Sequence, residues 1–143
     1  MRKQYYFRPS DRGLLAWDVD RLVQLSSRLP RKHVLLSDIR ELDEEWVSGE
    51  QRPTWRALVS HLRLIEQADL AFPIILSASG AVMDGRHRIA KAVWQGRDRI
   101  DAVQFDEDPR PDHVGLEPDQ LRTENGLPAR ARSRKFRVSS REG

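Results

Sequence analysis

The chain reads as an α+β protein, a small mixed β-sheet flanked by helices. Two observations predict this class. Residues 72–105 alternate short apolar runs with turn residues around a single helical segment. Two further helical periodicities precede that stretch, and no internal repeat interrupts the order.

Residues 1–16 show no clear period, and Tyr5, Tyr6, Phe7 and Trp17 read as local packing residues. Asp18 suits an N-cap for a first helix carrying Val19, Leu22, Val23, Ser26 and either Leu25 or Leu29, stopped by Pro30. His33 to Leu36 makes a short strand. Ser37 to Leu42 reads as a turn, followed by the acidic run Asp43, Glu44, Glu45 and then Trp46. After a loop at 50–53, Pro53 or Thr54 opens the longest helix, with Trp55, Leu58, Leu62 and Ile65 on one stripe and an end near Asp69.

Pro73 fits only the first residue of a strand, because it cannot donate to a ladder. Ile74, Ile75 and Leu76 form a continuous apolar run, as in a strand covered on both faces. Ser79-Gly80 is turn chemistry, which predicts a hairpin through Val82. Ile89, Ala92 and Val93 recur at helical spacing, so Asp84 or Gly85 falls at the N-cap and Gly96 where a C′ glycine belongs. Ile100 to Phe105 closes the sheet. Beyond it, residues 107–143 read as largely extended or disordered, with one possible turn of helix from Asp119. The expected division is an N-terminal extension with a helix over 1–30, the central domain over 31–106, and the polar, basic tail.

The length of 143 residues suits one domain plus tails. No apolar run approaches a membrane span and the N-terminus has no signal-peptide core, so a cytoplasmic protein without a membrane partner is expected. The absence of cysteine excludes disulfides, thiolate metal sites and a cysteine nucleophile. The net charge of +3 hides an asymmetry: residues 128–143 carry six cations against Glu142, a tail of +5 on a body of −2. The body therefore has no general excess of positive charge for a duplex-DNA surface, while the tail suits weak, salt-sensitive contact with nucleic acid.

The chemistry concentrates at Asp84-Gly85-Arg86-His87-Arg88. A helix N-terminus is electropositive, so two arginines in the first turn make sense around a bound anion such as phosphate. The plainer alternative has Asp84 capping the helix and the arginines in solvent. His87 shares a helix face with Lys91 and Trp94 and suits hydrogen bonding or proton transfer beside a phosphate. Arg88 suits a bidentate phosphate contact and Lys91, one turn on, an outer phosphate. Asp84 has three open roles: cap, Mg²⁺ ligand, or orienting group for a substrate hydroxyl. His61 and Asp69 are candidates to line the same pocket, His61 equally suiting a core-edge position between Leu58 and Leu62. No pair of histidines has metal-ligand spacing, so protein-held zinc is not expected.

This turn, with the Pro-Ile-Ile-Leu strand before it and the helix-glycine-strand after it, resembles the Asp-Gly-x-His-Arg element of the ParB/sulfiredoxin superfamily over Val34 to Phe105. The free-serine kinases of that superfamily carry the same element. The resemblance implies a ParB/sulfiredoxin-like fold with nucleotide phosphates at Gly85, Arg86, His87, Arg88 and Lys91. It further implies ATP or ADP with Mg²⁺ at Asp84, and a kinase-like enzyme transferring a phosphoryl group to a small polar acceptor. Glu41 lies about where the serine kinases place a catalytic glutamate, with Asp43, Glu44 and Glu45 as competitors, so Glu41, Asp84 and His87 form the expected catalytic set. Sulfiredoxin chemistry is excluded, since its cysteine is here Arg86. The alternative is a non-catalytic, nucleotide-gated, DNA-associated module like the partition proteins. The basic tail favours it. The missing Glu-Asn-x-Gln-Arg box and helix-turn-helix count against it.

Overall fold

The computed structural model describes residues 3–46 and 52–121. The class is α+β, with three α-helices and two small sheets among the described residues. Among the described residues, no helix is long and apolar enough to cross a membrane. The described residues divide into two compact units, 26–46 with 52–108, and 3–25 with 109–121.

The unit built from both ends of the chain holds a three-stranded sheet. Strand β1 (Tyr5–Arg8) pairs antiparallel with β2 (Leu15–Asp18), and β2 with a two-residue strand near the C-terminal end, His113–Val114. The expected local packing of the N-terminal aromatics is in fact strand pairing: Tyr5, Phe7 and Ala16 form a buried cluster with Leu121. Helix α1 (Val19–Ser26) follows β2 directly, with Asp18 Oδ1 accepting from Asp20 N at 2.9 Å.

Residues 109–121 differ from the extended or disordered reading. Trp17 Nε1 donates to Pro109 O at 2.8 Å, and Asp112 accepts from Asp18 N at 2.7 Å and from Arg21 at 3.1 Å. These anchors order a stretch too polar to order itself. The turn of helix expected from Asp119 is a 3₁₀ turn over Pro118–Gln120. The basic tail lies outside the described residues.

The second unit holds β3 (Lys32–Leu35), α2 (Trp55–Gln67), β4 (Ile74–Leu76), β5 (Val82–Asp84), α3 (Arg86–Trp94) and β6 (Arg99–Gln104). The sheet order is β3-β6-β4-β5, with β4 and β6 parallel and the other pairings antiparallel. Helix α3 is thus part of the crossover between two parallel strands. Ile74, Ile75 and Leu76 are all buried, as the continuous apolar run requires. The core joins Ile74, Leu76, Val82, Ile100 and Ala102 of the sheet to Ile89 and Ala92 of α3, and to Leu36 and Ile39 before the acidic run.

Two apolar assignments differ from the sequence reading. Val93 is 47% exposed, so α3 buries a narrower face than its period suggests. Helix α2, capped by Thr54 Oγ1 on Ala57 N at 3.1 Å, contains no buried residue. Its half-buried positions are Ala57, Leu58, His61 and Ile65, while Trp55 and Leu62 are 84% and 51% exposed. The helix is rotated so that the histidine, not the centre of the apolar stripe, lies on its more covered face.

Candidate functional site

The turn between β5 and α3 is set by Gly85, which is the N-cap of α3 at φ 114° and offers no side-chain cap. A Cβ here would stand 2.6 Å from Ile74 Cγ2. Glycine is thus required by the left-handed backbone and by close packing on β4. Without a capping side chain, the first-turn N–H groups of α3 remain directed at whatever sits before the helix.

Arg88 and Asp84 hold this turn together. Arg88 Nη2 donates to Asp84 Oδ2 at 2.7 Å, and Nη1 to Pro73 O at 3.0 Å. Both side chains are only 17% exposed. Asp84 therefore acts as the brace of the turn, and the helix cap falls to Gly85.

Lys91 differs from the phosphate role expected of it. Its Nζ donates to Glu66 O and Ala68 O, both at 2.7 Å, satisfying carbonyls at the end of α2. Asp69 is likewise engaged in a local turn: its Oδ1 accepts from Ala71 N at 2.9 Å.

His87 and His61 do come together. The His61 ring packs edge-on against His87 at 4.9 Å, and Trp46 lies over His61 at 5.1 Å with a tilt of 34°. Burial lowers the pKa of His61 below its ordinary 6.5, which favours neutral imidazole at neutral pH. Arg86 is exposed and makes a loose ion pair with Glu44 at 3.5 Å. Glu41, on the 3₁₀ turn Arg40–Asp43, accepts from Val82 N at 2.8 Å through Oε2. That bond satisfies a donor of the sheet-edge strand β5 and fixes a carboxylate beside the strand leading into the turn.

The structure thus groups Trp46, His61 and His87, places Arg86 with Glu44 and Glu41 with Val82, and assigns Arg88, Lys91 and Asp69 to holding the backbone. Trp46 is the member the sequence reading passed over. Its signal was an aromatic residue closing an acidic run. Among the described residues no cluster of three or more His, Asp or Glu side chains forms a metal cage. Mg²⁺ carried on nucleotide phosphates needs only one or two carboxylates, and Asp84 Oδ1 is the carboxylate oxygen at this turn that does not accept from Arg88 Nη2.

Comparison with protein-family models, with curated proteins and with solved structures returns no match to the chain.

Proposed function

We propose that the turn from Asp84 to Arg88 binds the phosphates of ATP or ADP and that the protein transfers a phosphoryl group to a small polar acceptor. The observation that carries this reading is the start of α3: a glycine N-cap without a capping side chain, with His87 in the first turn beside His61. Backbone N–H groups and the Arg86 guanidinium receive the phosphates. Arg88, through Asp84 and Pro73, keeps the turn in shape. Glu41 or His87 takes the proton of the acceptor hydroxyl as its oxygen forms a bond to the terminal phosphorus. The bond from that phosphorus to the bridging oxygen breaks, and the shortened nucleotide departs. Asp84 would hold Mg²⁺ together with the phosphates, and the ion would supply charge neutralisation. A ParB/sulfiredoxin-like fold, supported by the sequence resemblance, belongs to the same proposal.

The test is incubation of the full chain with a panel of nucleotides and Mg²⁺, reading binding by calorimetry and turnover by phosphorus NMR. Binding with turnover in the presence of hydroxyl acceptors is expected. Binding without turnover moves the protein to the nucleotide-gated, non-catalytic alternative, and absence of binding removes both.

A further inference from the structure

The aromatic cluster beside this turn carries a second element that phosphate binding does not require. Trp46 follows the acidic run and, although stacked on His61, remains 46% exposed. Trp55 and Trp94 are more exposed still, so it is the contact with His61, not exposure alone, that sets Trp46 apart. His61 beneath it is disposed toward the neutral form by burial, so the stack carries little positive charge of its own at neutral pH. Two ring steps, of 5.1 and 4.9 Å, lead from Trp46 through His61 to His87 in the first turn of α3. A flat, partly open indole backed by His61 at that remove from the turn proposed to bind phosphate is suited to a planar ring joined to an anionic group by a flexible spacer.

From this juxtaposition we propose that Trp46, backed by His61, is a stacking shelf for the heteroaromatic base of the nucleotide. The inference rests on the phosphate reading of the α3 turn and adds to it the source of base affinity. Stacking is tolerant of base identity because every base offers a π-face. The shelf therefore gives the site a preference for nucleotides over bare polyphosphate, with only modest discrimination among bases.

The experiment uses the full chain in Mg²⁺ with three probes: inorganic tripolyphosphate, ATP and CTP. Calorimetry gives affinities, and tryptophan fluorescence reports stacking. Both nucleotides are expected to bind at least about 10-fold more tightly than tripolyphosphate, with quenching that tripolyphosphate does not cause. Trp46→Ala is expected to lower nucleotide affinity to near that of tripolyphosphate and leave tripolyphosphate binding unchanged, while Trp46→Phe retains most of the gain. Thermal melts establish that each variant is folded; if Trp46→Ala is not, Trp46→Leu takes its place. Equal affinity for ATP and tripolyphosphate in the unaltered protein overturns the shelf and leaves the phosphate turn standing. So does a variant that loses both ligands equally. Failure of tripolyphosphate and nucleotides alike to bind overturns the phosphate reading and the shelf with it.

Discussion

Arg88 bridges from the first turn of α3 to Asp84 at 2.7 Å and to the Pro73 carbonyl at 3.0 Å, clamping the helix start to the end of β5 and the entry of β4. Truncating one partner of a largely buried pair leaves the other without compensation. Arg88→Ala is expected to lower unfolding free energy by about 2–4 kcal/mol in urea titration. Arg88→Lys should recover little, because an ammonium does not reproduce the two-pronged geometry. A stability unchanged in Arg88→Ala would return this residue to the ligand.

Gly85→Ala tests the turn from the backbone side. The added methyl must displace Ile74 Cγ2, and the residue must hold φ 114°. Left-handed strain of about 1–3 kcal/mol adds to overpacking of similar size. The expected result is a midpoint shift visible without any ligand; an unshifted melt would show that the turn relaxes freely.

Lys91→Met separates architecture from binding. It removes both bonds to the carbonyls of Glu66 and Ala68 while keeping an apolar stem. A loss of about 1–3 kcal/mol is expected, together with unchanged nucleotide affinity in the folded variant. A selective loss of affinity would place the ammonium on a phosphate after all.

His61 gives a pH dependence with a definite sign. Its folded pKa lies below 6.5, so the unfolded chain takes up the proton first as pH falls. The stability attached to the neutral ring is fully present above about pH 6.5 and is lost as pH drops through the lower folded value. Urea midpoints measured from pH 8 downward should fall in that window, and His61→Gln should flatten the decline. An identical slope in the variant would assign the effect to another group.

Truncation after Leu127 should preserve the fold and nucleotide binding while removing DNA retention at low salt, because the six cations of 128–143 go with it. Truncation after Asp108 should instead unfold the β1-β2 sheet, seen as a shift in emission when Trp17 loses Pro109 and its buried surroundings. Retention of DNA by the first truncation would locate the basic surface elsewhere.

The strand-turn-strand-helix-strand order of 72–105 was legible because each boundary has its own local chemistry: Pro73, Ser79-Gly80, Gly85 and Gly96. The pairing of β2 with His113–Val114 was not, since it joins residues about a hundred positions apart through a strand too short to show a period. At the candidate site, residue types marked the turn between β5 and α3 and not the direction of each side chain. Arg88 and Lys91 look alike as phosphate ligands in the sequence, and only the positions of Pro73, Asp84 and the end of α2 reveal what they hold. The rotation of α2 that brings His61 to His87 is a packing outcome: it keeps Leu58 and Ile65 of the apolar stripe on the covered face and turns Trp55 and Leu62 outward.

The discontinuous unit has a consequence for synthesis. Strands β1 and β2 leave the ribosome early, yet their third partner and Leu121 are made only near the end of the chain. The sheet of the other unit is complete by Gln104. Vectorial folding therefore favours the inner unit first, while the N-terminal hairpin waits with an unpaired edge. A chain halted near residue 108 would carry a finished four-stranded unit and an open, adhesive β2, so premature termination there should yield aggregates rather than a merely shortened protein.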